Sequence, residues 1–351
     1  MPTMPLRSSE AAFSEPGPLG ARQLYNQNIM RRQIIACHLA ALLLPLQVSA
    51  QAYPVKPIRI IVSNSPGSAA DQLARVVAIL LTDSFKQPVI IENKPGANGN
   101  IGMDAVAKAA PDGYTLGLSA PSTMTINPFV YQKMPFDPAK DLIPITQLTS
   151  IPFVLVANPK LGVKTVSELI SYGKRKEDGL NFSSAGVGNL GHLSGELLGM
   201  QTSMKLLHIP NKGDAPALMD VMGGQTDFMF VPLPAASEQI RNGKLALLAV
   251  AGAKRDPGFP DTPTLAQAGI GGVVVEGWTG LVAAAGTPAK IVEQIQAALA
   301  DRLQAPEIRQ QILNQGSYVV ASDPAAFRSF VTAESDKWSH VVQASGVQLN
   351  H

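Results

Sequence analysis

A short β-branched run, a loop of small residues and a helix-spaced apolar segment follow one another repeatedly along this chain. Residues 58–62, Ile-Arg-Ile-Ile-Val, read as a buried strand. The turn-rich loop 63–68 ends it. Leu73, Val76, Val77, Leu80 and Leu81 then recur at i, i+3, i+4, i+7 and i+8, which predicts a helix. Residues 88–91 form a second strand, followed by the glycine-rich loop 93–100 and a helix from Ile101. Asp112-Gly113 turns the chain into a strand at 114–118. A second series begins near 154–157. Thr165 caps a helix, 180–184 is a strand, and Gly186 to Gly191 leads into another helix. Asp214 with Pro216 opens the next, since proline is tolerated where the amide needs no partner. Residues 227–231, 245–251 and 277–283 read as strands; Thr287-Pro288 and Asp323-Pro324 open the last helices. Such alternation predicts an α/β fold with parallel, doubly wound sheets.

The chain has 351 residues, too many for one domain of roughly 150. No long linker occurs near 155 or 275. The expected layout is two lobes joined by short crossings, residues 53–155 plus 276–351 forming the first and 156–275 the second. Ahead of them, Met30-Arg31-Arg32, an apolar run at 34–46 and Ala50-Gln51-Ala52 have the layout of a secretory signal peptide cleaved after Ala52. That run is shorter than the ~20 residues needed to span a bilayer. Residues 1–29 are polar and read as a non-native or disordered extension. Cys37, the only cysteine, lies in the apolar run, so the mature chain has no thiol chemistry. Export implies a periplasmic protein. Losing Arg7, Arg22, Arg31, Arg32, Glu10 and Glu15 turns the formal charge of +2 into neutrality. With no basic stripe either, nucleic acid is not an expected partner.

Three loops share one design, a strand leading through small residues into a helix N-terminus: 63–71, 96–101 and 184–192. Helix N-termini carry unpaired amides and partial positive charge, and so attract anions without a cationic side chain. Three such loops on one cleft would hold a carboxylate or a phosphate. Gly186-Val187-Gly188-Asn189-Leu190-Gly191 matches the dinucleotide fingerprint, but the next strand, 206–210, ends without the acidic residue that fingerprint needs. Asp71 lies in a first helical turn, either as a dipole partner or as a brace for its loop. His192 and Glu196 share a helix face, too few ligands for a metal. Asp227 either reaches the cleft or caps the entry of its strand. No nucleophile–base spacing, P-loop, H-E-x-x-H or G-x-S-x-G is present, and the fingerprint is incomplete, so catalytic residues, metals and cofactors are not expected.

The segment Val89-Ile90-Ile91-Glu92-Asn93-Lys94-Pro95-Gly96-Ala97-Asn98-Gly99-Asn100-Ile101-Gly102 closely resembles the most characteristic stretch of the tripartite tricarboxylate transporter substrate-binding receptors, the Bug receptors. Residues 109–116 (AAPDGYTL), 135–138 (PFDP), Ser184-Ala185-Gly186 with His192 and Glu196, and 223–227 (GGQTD) extend the resemblance from about 53 to 349. It implies a type II periplasmic binding protein fold, two lobes closing on a small carboxylate, and delivery to a membrane transporter of the same tripartite type. Carried onto this sequence, the first ligand loop offers Ser63, Asn64, Ser65, Gly67, Ser68 and Asp71. The facing loop offers Ser184, Gly186, Gly188, Asn189 and His192, with Asp227 beyond it. Ser119, Ser122 and Thr123 form a third wall. Asn64, Gly67-Ser68 and Asn211-Lys212-Gly213 depart from the family pattern, which implies a ligand with more hydroxyl or amide character. Monomer is the default state for this role. An effector domain of a regulator would share the lobes, but would need a DNA-binding helix-turn-helix in place of the export signal.

Overall fold

The computed structural model describes residues 53–349; the extension, the signal-peptide segment and Cys37 lie outside the described residues. Strand β1 (Ile58–Val62) buries every side chain but Arg59. Helix α1 (Ala69–Phe85), strand β2 (Val89–Asn93), helix α2 (Asn100–Ala107) and strand β3 (Thr115–Ser119) complete the first unit. Both β2 and β3 pair with β1 in parallel. Helix α1 starts because Ser68 Oγ accepts from the Asp71 amide at 3.3 Å, and it stops where Lys86 turns left-handed at φ +55°. Its buried stripe, Leu73, Val76, Val77, Leu80 and Leu81, faces β1 and β3. Burying each such side chain contributes about 1.5–3 kcal/mol.

Residues 122–126 form a π-helical turn that runs into α3 (Asn127–Val130), and α4 (Pro138–Asp141) follows. The 16-residue strand β4 (Leu142–Ala157) comes next. The second unit contains α5 (Val166–Arg175), β5 (Leu180–Ser184), α6 (Leu190–Thr202), β6 (Leu206–Pro210), α7 (Asp214–Gly223), β7 (Phe228–Pro232), α8 (Leu233–Arg241) and β8 (Ala246–Val250). Thr165 and Glu168 close a capping box at the start of α5. The chain returns through β9 (Glu276–Ala284), α9 (Ala289–Leu303), α10 (Pro306–Asn314), the short β10 (Tyr318–Val319) and α11 (Pro324–Ser345).

The strand order is β2-β1-β3-β9-β4-β7-β5-β6, with β8 and β10 also on β4. The flanks are parallel, as the alternation of elements predicts. The centre is antiparallel: β9 runs against β3 and β4, and β7 and β8 run against β4. One strand thus serves both units. Residues Leu142 to Pro152 of β4 pair with β9, and Phe153 to Ala157 pair with β7 and β8. The apolar pattern in the sequence marks this strand only from Val154. Pro144, Pro152 and the polar run around Gln147 hid the rest, and register shifts at 144–146 and 147–149 accommodate it.

One apolar cluster joins β1, β3, α1 and α9; another joins β5, β7 and α6. Trp338, Val341 and Val342 of α11 belong to the second cluster, as do Ile126 and Val130. The return segment 276–351 therefore packs with both clusters. Helix α11 begins on the first side, where Phe327 packs edge-on to Trp278, and its last turns pack with the second.

Candidate functional site

The carboxyl ends of β1, β3 and β5 each deliver a loop and a helical turn to one cavity of about 420 Å³. Open α/β sheets place ligands at such strand ends. A larger recess of about 540 Å³ lies on the outer flank between α4 and α11, lined by Lys140, Arg328 and Asp336. It reaches only Met124 of the turn after β3 and neither the β1–α1 nor the β5–α6 loop, so we take the smaller cavity, where all three meet, as the site. Asn64, Ala69 and Ala70 line it from β1–α1, Asn98 from the glycine-rich loop, and Ser122 from the turn after β3. Asn189, Leu190 and Asp214 line it from the second unit, and Trp278, Thr279 and Gln315 from the return.

Of the residues nominated from sequence, Asn64, Ser122 and Asn189 line this cavity. Several others shape its loops. Gly67 is left-handed at φ +83°, and its amide donates to Asp71 Oδ2 at 3.0 Å. Asp71 is only 2% exposed and also accepts from Arg75 Nε at 2.9 Å and from Asn93 Nδ2 at 3.0 Å. Asn93 in turn donates to the Asn64 carbonyl at 3.1 Å. The Gly67 amide first, then Arg75 and Asn93, hold the Asp71 carboxyl at about 2 in spite of its desolvation. Asp71 therefore braces the first loop and has no free face for a ligand. Ser68 caps α1. Ser65 is exposed and outside the cavity lining.

Ser63 lies beneath α2: a Cβ at Gly102 would collide with its Oγ, which has no partner among the described residues. Ser119 spends its hydroxyl on the Gly280 carbonyl at 3.1 Å, tying β3 to β9. Thr123 Oγ1 closes a turn onto Ala120. In the facing loop, Asn189 Oδ1 caps α6 by accepting from the His192 amide at 2.8 Å. His192 Nδ1 accepts from the Gly188 amide at 3.0 Å, which leaves the proton on Nε2, 3.5 Å from Glu196. Ser184 Oγ bonds both the carbonyl and the amide of Gly186. Ser184, Gly186, Gly188 and His192 thus set the shape of the loop that carries Asn189.

Of the two alternatives for Asp227, the structure places it at the strand entry. It stands at the entry of β7, accepting from the Asn181 amide at 2.7 Å and from Lys176 Nζ at 3.3 Å. The cleft is at the other end of that strand, where Pro232 lines the cavity. Five residues of strand separate the two, about 16 Å. In the segment 211–213, Gly213 is the N-cap of α7, next to the cavity-lining Asp214. Asn211 donates to Asp220 at 2.9 Å, Lys212 is exposed, and neither lines the cavity.

Sequence reading nominated neither Asn98 nor Asp214. Asn98 is left-handed at φ +52° and exchanges hydrogen bonds with Asn127 at 2.8 and 3.1 Å. The glycines on either side of it were the available signal. Asp214 opens α7 and lines the cavity without a hydrogen bond or ion pair among the described residues. Its burial pushes the carboxyl pKa up.

The fold also brings Ser184 Oγ within 2.7 Å of His208 Nε2, a contact no spacing announced. Ser184 has a single proton and its neighbour Gly186 offers an acceptor. The arrangement that satisfies every partner has His208 donating to Ser184. Burial, and then His192 stacked 3.6 Å away, push the His208 pKa down to about 3. Such an imidazole is a poor base. Among the described residues no group of three or more His, Cys, Asp or Glu could hold a metal ion.

The tripartite tricarboxylate transporter family receptor model matches residues 73–347. The chain belongs to this family. Protein BugT of Bordetella pertussis is 35% identical over 317 residues, covering 90% of this chain and 97% of BugT. MatC of Rhodopseudomonas palustris, solved with bound malate, is 33% identical with a TM-score of 0.68, covering 83% of this chain and all of that one. R. palustris Rpa4515, solved with adipate, is 32% identical with a TM-score of 0.71, covering 84% of this chain and 98% of that one. Membership makes the chain a solute-binding receptor with the periplasmic binding fold, α/β with a mixed sheet. No helix among the described residues is long and apolar enough to cross a membrane.

Proposed function

We propose that this protein is an exported receptor that captures a small carboxylate in the cleft between two lobes, for a tripartite tricarboxylate-type transporter or for sensing. One lobe is built on β1–β3 with β9, the other on β5–β8, and β4 crosses between them. The observation that carries the reading is the cavity itself. The first turns of α1 and α6 and the loop after β3 meet there, and none of its described lining residues is basic. Helix-end amides, pre-aligned by Ser68, Asp71 and Asn189, would supply the attraction for a carboxylate. The malate and adipate of the related structures support this chemistry.

A ligand touching both lobes has greater affinity for the closed arrangement than for the open one, and so drives closure. The closed surface is what a membrane partner would recognise. The signal-peptide layout of residues 30–52 supports a periplasmic location. A hydrolase reading would rest on the Ser184–His208 contact. The low basicity of His208 and the occupied hydroxyl of Ser184 weigh against it.

The test is thermal unfolding of protein refolded to remove bound ligand, screened against mono-, di- and tricarboxylates, amino acids and NAD. A ligand at 100 times its Kd adds about 2.7 kcal/mol of stability. A shift with a carboxylate class supports the receptor; a shift with NAD alone overturns it.

A further inference from the structure

Among the described residues, the cavity lining contains one ionisable side chain, Asp214. Its position is unusual for an anion receptor. A carboxylate at a helix start is normally explained as a cap or a dipole partner. Here the N-cap of α7 is Gly213, with no side-chain cap bond. No hydrogen bond or ion pair occupies Asp214 among the described residues, in contrast to Asp71, whose oxygens are all engaged. Asp220 and Asp227, the other acids of this lobe's sheet end and helix, are likewise paired, with Asn211 and with Lys176 and Asn181. Asp214 alone presents a desolvated carboxyl to the cleft without a partner.

The remaining polar groups of the lining are neutral. Asn64, Asn98, Ser122 and Asn189 can donate and accept. A ligand with two carboxylates would bring one of them toward the helix ends and the other into a cleft that already holds an acid and offers no cation. In a partly desolvated site, like charges a few ångströms apart repel each other far more strongly than they would in water. A ligand with one carboxylate and one ammonium meets complementary charge at both ends, and its ammonium supplies the donor that Asp214 lacks.

We propose that Asp214 is the specificity-determining residue of this receptor, selecting a carboxylate ligand that also bears an ammonium group and rejecting dicarboxylates. This rests on the cleft being the carboxylate site argued above. The ammonium sits against the α7 end of the cavity, and the carboxylate against the first turns of α1 and α6.

The experiment is calorimetric titration of the refolded protein with a five-carbon series: valerate, 5-aminovalerate, norvaline, 5-hydroxyvalerate and glutarate. Asp214→Asn and Asp214→Ala are titrated in parallel. In the wild type, one of the two amino acids should bind at least tenfold tighter than valerate, 5-hydroxyvalerate and glutarate. Asp214→Asn should lose that preference by tenfold or more, and glutarate should gain. Unchanged melting temperatures in the variants would confirm that the loss is one of selectivity. If glutarate binds the wild type best and Asp214→Asn leaves all five affinities in place, the role of Asp214 is overturned while the carboxylate receptor stands. If no acid binds either protein, both fall together.

Discussion

Replacing Asp71 by Asn tests how the first ligand loop is held. The substitution keeps the side-chain shape and can still accept from the Gly67 amide. It removes the charge that meets Arg75 Nε at 2.9 Å, and it turns an amide nitrogen toward Arg75 or Asn93. Hydrogen bonds involving a charged partner contribute about 1.5–3 kcal/mol, and Arg75 is half exposed, so a loss of roughly 2–3 kcal/mol is expected. For a chain of this size that lowers the melting temperature by roughly 4–6 °C. The pH dependence carries the sign. The folded carboxyl titrates at about 2, below its ordinary value near 4. Its contribution is therefore complete above pH 4 and disappears as pH falls toward 2. Melting temperatures of wild type and variant should differ at pH 7 and converge between pH 4 and 2.5. A gap of the same size at pH 7 and pH 2.5, or no gap at all, would refute the bracing role.

Asn189→Ala removes the cap of α6 and should cost about 1 kcal/mol in stability, with a larger loss of ligand affinity measured by calorimetry because Asn189 lines the cavity. Gly102→Ala places a methyl group onto Ser63 Oγ and against the Lys94 carbonyl; overpacking of this kind costs about 1–3 kcal/mol, read as a lower denaturation midpoint. His208, held neutral with a pKa near 3, contributes stability that is complete above pH 6.5 and falls as pH drops below it, by at most about 1.4 kcal/mol per pH unit. His208→Gln should flatten that acid slope in urea titrations, and an unchanged slope would count against the assignment.

The strand–loop–helix units were legible because each repeats a local pattern. The β1–α1 and β5–α6 junctions fell where the apolar runs end in loops of small and glycine residues. The antiparallel seam was not legible. Residues 142–152 carry two prolines and four hydroxyl or amide side chains, and they hold a strand only because β9 pairs along them. The short β10 has no periodicity of its own and exists as a partner of β4. At the site, residues that shape loops and residues that line the cavity look alike in sequence. Ser119 and Ser122 are three positions apart, yet one ties two strands together and the other faces the cleft. Asp214 and Asp227 both precede an apolar run, yet Asp214 lines the cavity from the start of α7 while Asp227 lies at the end of β7 away from it. The His192–His208 stack joins residues from α6 and β6, a contact that depends on how helix and sheet pack.

The most direct test is calorimetric titration of the refolded protein with a carboxylate panel, beside Ala69→Trp. Ala69 is exposed and lines the cavity at the start of α1, so an indole there fills the cleft without disturbing the core. Binding of one carboxylate ligand per chain, abolished in Ala69→Trp at an unchanged melting temperature, is the result expected of a receptor that uses this cleft. Carboxylate binding that survives Ala69→Trp, or no carboxylate binding by the wild type, would contradict it.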